Sequence, residues 1–276
     1  MKRCILCLIL CLTLALQCGC SQGPDSSAAV PETNSGTTEP TASGQLPSEP
    51  VTTEVPETQP ENSTAPYAIS QLHSGILPDG TFTSGTLFVG DSLTYGLVLK
   101  YLQPNHLLGE ARFIAVPSAA TAFYFYGRPQ DDTQYPYPGY SQEFYNMRMF
   151  EAVEAAGEEV TAIYFMMGTN QTESSSLEIY ISIVEHMLQS CPNATVFLEL
   201  VPFDESPKVS YEQATQWILE AYDYFQQQGI TRVQLIDTQS AIGYNLIHDG
   251  IHLSEEGQVL WYQALVAYAA QHGLQP

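Results

Sequence analysis

Three short segments of the sequence carry side chains that could perform nucleophilic catalysis. Ser92 lies in the segment GDSL, Asn170 ends the segment GTN, and Asp249 and His252 lie three residues apart in DGIH. A serine hydroxyl, an imidazole and a carboxylate can act as nucleophile, base and orienting acid, and a side-chain amide can stabilise an oxyanion. Because Asp249 precedes His252 by three residues, one tight turn can bring its carboxylate to the imidazole ring.

The residues alone leave a structural explanation open for each of these side chains. Ser92 could only cap a helix, and Asn170 could only serve a turn. Asp249 could likewise cap a turn, and His248 could replace His252 as the base. The functional interpretation therefore depends on whether the fold brings the three segments together.

The elements that must position these groups alternate between strand and helix from about residue 67. Five short apolar runs predict strands at 86–89, 112–116, 160–167, 195–201 and 232–236. Helical spacing of apolar residues predicts helices at 93–102, 143–156, 174–189, 211–228 and 254–271. This alternation predicts one α/β domain with a five-stranded parallel sheet, and binding sites in such sheets form at the carboxyl ends of the strands. Two of the three segments follow predicted strands, and the third precedes the last helix.

The three segments, taken in order, resemble the sequence blocks of the SGNH/GDSL hydrolase superfamily. The matching stretches are GDSLTYGL at 90–97, GTN at 168–170 and DGIHLSEEG at 249–257, and the resemblance covers about residues 84–273. It implies a flavodoxin-like three-layer α/β/α sandwich, shared by esterases, lipases, carbohydrate deacetylases and some acyltransferases. It also implies that Ser92 is the nucleophile, His252 the base and Asp249 the orienting acid.

Two departures from the family pattern concern the predicted oxyanion hole. Gln171 follows Asn170 where the family has Asp, and no glycine follows the second predicted strand, where the family has one. We match Ala119 to that glycine, although the assignment within 117–120 stays open. The predicted oxyanion donors are therefore the backbone N–H groups of Ser92 and Ala119 and the side-chain amide of Asn170.

An aromatic segment at 123–144 is the predicted wall of a substrate cleft. Tyr124, Tyr126 and Arg128 are the residues that we expect to contact substrate, since aromatic rings with hydroxyls suit sugar faces and acyl chains. The alternative is a rigid loop that packs on the domain.

The N-terminus predicts export and a lipid anchor. Two basic residues precede an apolar run of 13 residues at 4–16, which is shorter than the roughly 20 residues of a membrane-spanning helix and fits a signal peptide. The following Gly19-Cys20 pair resembles a bacterial lipoprotein cleavage box, so we expect lipid on Cys20; a secreted form and an uncleaved anchor are the alternatives. Residues 1–20 are thus the predicted signal, 21–66 a disordered tether rich in Pro, Ser, Thr and Glu, and 67–276 the catalytic domain.

Charge excludes several classes of partner. The 276 residues include 8 Lys and Arg against 30 Asp and Glu, a formal net charge of −22, which argues against nucleic acid and against attraction to membranes through a basic surface. Five of the six cysteines lie within residues 1–20, so neither a disulfide framework nor a metal site is expected, and no cofactor is implied.

The sequence thus predicts an extracytoplasmic serine esterase, which acts through an acyl-enzyme on an O-acyl group of a glycan, such as O-acetyl. The alternatives are an O-acyltransferase with the same catalytic residues and a glycan-binding lipoprotein whose catalysis has decayed. The sequence contains no signal for the oligomeric state.

Overall fold

Five parallel strands form the centre of the domain in a computed structural model of the chain, which describes residues 71–127, 139–171, 175–203, 211–245 and 249–276. They are β1 (Thr86–Gly90), β2 (Arg112–Ala115), β3 (Ala162–Met166), β4 (Thr195–Glu199) and β5 (Val233–Ile236). The strand order is β2-β1-β3-β4-β5, and every neighbouring pair is parallel. All residues of β1, β3 and β4 are buried, which explains why these strands are apolar runs rather than alternating ones.

Helices cover the sheet. They are α1 (Ser92–Gly96), which continues as a π-helix (Leu97–Leu102), α2 (Phe123–Tyr126), α3 (Met149–Ala156), α4 (Leu177–Ser190), α5 (Tyr211–Gln227), α6 (Thr238–Ile242) and α7 (Glu255–His272). Helix α4 packs between α3 and α5, while α7 packs against α6 and the π-helix. The predicted α/β sandwich is confirmed, and its strand order is that of flavodoxin-like sheets, in which the order reverses between β1 and β3.

The predicted helix at 143–156 begins later than its apolar spacing indicates. A 3-10 turn covers Gln142–Phe144, Asn146 has a positive φ of 70°, and α3 begins only at Met149. Arg148 precedes the helix in an extended conformation, and its backbone N–H donates to the Glu151 carboxylate at 2.8 Å. This hydrogen bond satisfies a donor at the helix start and fixes the boundary there.

The core contains one carboxyl group that matters for stability. Glu199, at the end of β4, is 1% exposed, and its carboxyl accepts a hydrogen bond from the Trp261 indole of α7. Burial raises the pKa of Glu199 to about 8, and no salt bridge to it occurs among the described residues. The group is therefore mostly protonated at neutral pH and is accommodated as a neutral acid.

The predicted signal peptide, Cys20 and the tether lie outside the described residues and stay predictions. None of the helices in the described ranges combines the length and apolar character needed to cross a bilayer.

Candidate active site

The Ser92 segment forms a tight turn between β1 and α1. Asp91 caps the helix, because its carboxylate accepts the backbone N–H of Leu93 at 2.9 Å, and Ser92 is the first helical residue. Gly90 is required here, since an added Cβ would lie 2.4 Å from the backbone oxygen of Met166 on β3. The turn thus holds the half-buried Ser92 at the carboxyl end of β1, close to the end of β3.

The structure brings Ser92, His252 and Asp249 together. The distance from His252 Nε2 to Ser92 Oγ is 3.0 Å, and that from His252 Nδ1 to Asp249 Oδ2 is 2.7 Å. A carboxylate only accepts hydrogen bonds, so Nδ1 carries the ring proton and Nε2 is free to accept the proton of Ser92. This arrangement is that of nucleophile, base and orienting acid.

Asp249 is fixed by its own turn. Its Oδ1 accepts the backbone N–H groups of Ile251 at 3.0 Å and His252 at 2.9 Å, and Gly250 supplies the positive φ of 70°. The hydrogen bond from the His252 ring, together with those from the backbone, lowers the pKa of Asp249 to about 2. The carboxylate is therefore ionised at any pH at which the protein would work.

Two of these three side chains are open to solvent. The side chains of His252 and Asp249 are 40% and 44% exposed. Water can therefore reach the base directly.

Asn170 lies beside the nucleophile turn, held there by Asp91. Asp91 is fully buried, and its Oδ2 accepts the Thr169 hydroxyl at 2.6 Å and lies 3.4 Å from Asn170 Nδ2. Burial raises the pKa of Asp91, while the hydrogen bonds from the Thr169 hydroxyl and from nearby backbone N–H groups oppose that rise. Asn170 Nδ2 also lies 3.2 Å from Thr169 Oγ1. Because this oxygen and Asp91 Oδ2 are only 2.6 Å apart, one N–H of the amide can be shared between them while the other is offered to an oxyanion.

The prediction that Ala119 supplies an oxyanion donor is wrong in this structure. Ala119 is fully buried, and its backbone N–H already donates to the oxygen of Val116 at 3.1 Å. The neighbouring Ser118 is exposed and has a φ of 64°, the left-handed conformation that favours glycine. Ser118 therefore takes the place expected for the family's glycine, and its N–H bonds to no backbone carbonyl among the described residues.

A hydrogen bond connects the loop that follows β2 with the loop that follows β3. The hydroxyl of the buried Thr121 donates to Gln171 Oε1 at 3.1 Å. Gln171, which departs from the family pattern, thus links the loop that carries Ser118 to the loop that carries Asn170.

The predicted cleft wall is only partly described. Tyr124 is fully buried, and its hydroxyl lies 2.9 Å from Nδ1 of His186 on α4, so the prediction that it contacts substrate is wrong. It is buried because α2 packs against α3, next to α4. Tyr126 is 76% exposed, and its role stays a prediction. Arg128 and the alternative base His248 lie outside the described residues.

Within the described ranges, no cluster of three or more His, Cys, Asp or Glu side chains could hold a metal ion.

Comparisons with known proteins give structural similarity without close relatives. No protein-family model and no curated protein matches the chain. A carbohydrate esterase family 3 protein from Talaromyces cellulolyticus is 15% identical, with 67% of this chain and 96% of that chain covered and a TM-score of 0.47. A GDSL-like lipase from Bacteroides thetaiotaomicron is 13% identical, with coverage of 68% and 88% and a TM-score of 0.47.

A family two carbohydrate esterase from Clostridium thermocellum, solved in complex with cellohexaose, is 17% identical, with coverage of 67% and 63% and a TM-score of 0.48. All three are similarities of structure only. At such identities and TM-scores they assign no activity to this chain, so its function has to be inferred from the geometry of the site.

Proposed function

We propose that the domain is a serine esterase of the SGNH type, which hydrolyses an ester through an acyl-enzyme. The observation that supports this most strongly is the hydrogen-bonded chain from Ser92 through His252 to Asp249, with distances of 3.0 and 2.7 Å. The 3.0 Å distance lies within the range in which a proton passes between nucleophile and base, and the 2.7 Å distance is that of a hydrogen bond from the base to the orienting acid.

The reaction follows from these contacts. Ser92 Oγ attacks the ester carbonyl carbon while His252 Nε2 accepts its proton, and the negative charge develops on the carbonyl oxygen. When this intermediate collapses, the bond to the alkoxy group breaks and His252 gives its proton to the departing alcohol. Water then attacks the acyl-enzyme with His252 again as base, which releases the acid and restores Ser92. Asp249 holds the ring in the required tautomer and stabilises the imidazolium.

The oxyanion has candidate donors on the loops after three strands. The N–H of Ser92 lies at the start of α1, Ser118 follows β2, and the amide of Asn170 follows β3. Preorganised donors of this kind are typically worth roughly 3–4 kcal/mol each in the transition state.

Solvent access favours hydrolysis over transfer. An acyltransferase must keep water away from its acyl-enzyme, whereas His252 and Asp249 are about two-fifths exposed here (40% and 44%). An O-acyltransferase is therefore the second candidate, and formation of acylated sugar on addition of a sugar acceptor would favour it.

Labelling of the serine tests the proposal directly. We expect p-nitrophenyl acetate to give a burst of one equivalent of p-nitrophenol, and a fluorophosphonate to modify the peptide that contains Ser92. Ser92→Ala and His252→Ala should abolish turnover, whereas His272→Ala, an exposed histidine near the end of α7, should not. Near-normal turnover by a folded Ser92→Ala protein would exclude this mechanism, and a domain that binds glycans but gives no burst would be the decayed binding protein.

The substrate and the location belong to the same proposal. We propose an O-acyl group on a glycan outside the cytoplasm as substrate, with the domain anchored through lipid on Cys20. The apolar run at 4–16 and the Gly19-Cys20 pair support the location. Mass spectrometry of the mature N-terminus from a bacterial host should find a diacylglyceryl thioether on Cys20, and an unmodified Cys20 would leave the secreted form.

A further inference from the structure

Three aromatic side chains, of which two are half-buried and one is exposed, form a cluster, here called the aromatic platform, at the carboxyl edge of the sheet. The rings of Phe203 and Tyr244 are stacked with centroids 4.7 Å apart and an interplanar angle of 15°. Tyr211, at the start of α5, meets Phe203 edge to face at 5.3 Å. Tyr244 is 63% exposed, although a tyrosine ring would normally gain by burial. The exposed Tyr244 ring is therefore supported by two half-buried rings rather than standing alone on the surface.

The aromatic platform is next to two segments of the candidate active site. Phe203 follows β4, and the residues around it contact the GTN segment, since a Cβ on Gly168 would lie 2.9 Å from Val201 and 3.1 Å from Ala214. On the other side, Tyr244 precedes Asn245, whose backbone oxygen accepts the N–H of Ser254 at 2.9 Å just after the His252 loop. Since β4 is two strands from β1, the strand ends are about 10 Å apart, a distance that one substrate can span.

The geometry of the aromatic platform indicates a flat ligand. Two rings stacked 4.7 Å apart leave no room for a ligand between them, so a ligand can stack only on an outer face. Tyr244, which is 63% exposed, is the more accessible of the two rings, since Phe203 is half-buried. A site for a quaternary ammonium group has rings on several sides of the cation, which is not the case for this parallel pair. A single open face with a negative π surface fits the face of a pyranose ring, where C–H bonds carry partial positive charge.

A groove whose accessible surface is mostly apolar adjoins the aromatic platform at Tyr211. It has a volume of about 330 Å³, begins at Tyr211 and is lined along α5 by Thr215, Gln216 and Glu220, with Gln239 of α6 beside them. Its polar groups bond to one another, since Gln216 donates to Glu220 at 2.7 Å and Gln239 donates to Thr215 at 2.9 Å. A mostly apolar surface edged by such groups suits a sugar, which has both apolar C–H faces and hydroxyls.

The net charge of the domain restricts which glycans it can bind. Seven of the 30 acidic residues lie in 21–66 and two of the eight basic residues lie in 1–20, so 23 acidic and 6 basic residues remain, a net charge near −17. This field disfavours acidic glycans and favours neutral ones.

We propose that the aromatic platform binds a neutral pyranose unit of the glycan, with the ring stacked on Tyr244. The inference rests on the proposed esterase function only for its role, which is to present the acyl-bearing sugar to Ser92. It places the sugar contact on the β4 side of the site rather than at the predicted wall around Tyr124.

Binding without turnover tests the aromatic platform independently of catalysis. Cellohexaose and xylohexaose, which carry no ester, should bind the full chain in calorimetric or NMR titrations, and polygalacturonate should bind more weakly. Tyr244→Ala should weaken binding by about fivefold, as expected for the loss of one stacking contact, whereas Tyr244→Phe, which keeps the ring, should stay close to the wild type. The control is Tyr224→Ala on α5, because the Tyr224 hydroxyl donates to Glu185 at 3.3 Å and is directed toward α4.

Equal weakening in the Tyr224→Ala and Tyr244→Ala proteins, or no binding of either neutral oligosaccharide by the wild type, would overturn the proposal. Melting curves of the Tyr244 variants identify any loss that comes from unfolding.

Kinetics separate this proposal from the esterase proposal. On O-acetylated xylo-oligosaccharides, Tyr244→Ala should raise KM, and the loss of kcat/KM should be at least about fivefold larger than on p-nitrophenyl acetate, which has no sugar. If oligosaccharide binding depends on Tyr244 but the chain has no esterase activity, the sugar-binding proposal is supported and the esterase proposal is contradicted. If the chain is an esterase but Tyr244→Ala loses equal kcat/KM on both substrates, the esterase proposal is supported and the sugar-binding proposal is contradicted.

Discussion

Replacement of Glu199 by Gln should remove a large pH dependence from the stability of the domain. Burial raises the pKa of this carboxyl from its ordinary 4.5 to about 8, so the folded protein keeps a proton that the unfolded chain releases. The contribution of the protonated group is therefore fully present below about pH 4.5 and is lost as the pH rises toward 8. At about 1.36 kcal/mol for each pH unit, the loss over this window is on the order of 5 kcal/mol.

The glutamine variant isolates this effect because it has nearly the same shape. Its amide oxygen can still accept the hydrogen bond from Trp261, and it does not ionise. The added amide N–H groups cost about 1–3 kcal/mol if they find no partner, but that cost is the same at every pH. The variant can thus be less stable than the wild type at pH 5 and more stable at pH 8.5.

Urea unfolding of both proteins at pH 5 and pH 8.5 provides the measurement. Between these two values, the free energy of unfolding should fall by several kcal/mol more in the wild type than in the Glu199→Gln protein. Other titrating groups cancel in this comparison, and Glu143→Gln, at an exposed position in a 3-10 turn, serves as the control. The same pH dependence in all three proteins would show that Glu199 is not a neutral buried acid.

Two further predictions concern the loops that hold the candidate oxyanion donors. Thr121→Val keeps the shape of the side chain but removes its hydrogen bond to Gln171. It should lower kcat by about three- to tenfold with little change in KM. In the double variant, Gln171→Ala should add almost nothing to that loss. Additive losses would show that the two side chains act separately. Ser118→Gly should raise the melting temperature by about 1–2 °C, because relief of the left-handed backbone strain slightly exceeds the added entropy of the unfolded chain. Ser118→Ala, the control, should leave the melting temperature unchanged. A lower melting temperature for the glycine variant would show that the backbone at Ser118 is not strained.

The sequence allowed the sheet and the Ser92–His252–Asp249 arrangement to be predicted for a clear physical reason. Buried parallel strands must be apolar throughout, so the ends of the strands can be located in the sequence. The loops at the carboxyl ends of such strands meet at one edge of the sheet. The turn that joins Asp249 to His252 is local and needs only three residues. These features depend on neighbours in the chain rather than on distant contacts.

The backbone conformation at Ser118 and the contacts of the aromatic residues could not be predicted from residue types, because they depend on parts of the chain that are far apart in the sequence. Nothing in the segment after β2 shows that Ser118 takes the positive φ, so Ala119 was the wrong choice. Aromatic residues are equally suited to a core and to a cleft, and Tyr124 is buried because His186, 62 positions later, lies beside it. Phe203 and Tyr244 are likewise far apart in the chain, so their stacking could not be read from spacing.

Cys191 has a practical consequence for production and labelling of the domain. It is fully buried, and burial raises the pKa of its thiol to about 11, so it reacts poorly with oxidants and alkylating reagents. Beyond residue 20 the sequence contains no other cysteine, so this part of the chain has no intramolecular disulfide to form and can fold alike in reducing and oxidising compartments. A cysteine introduced on its surface would therefore react selectively with a maleimide fluorophore or a spin label.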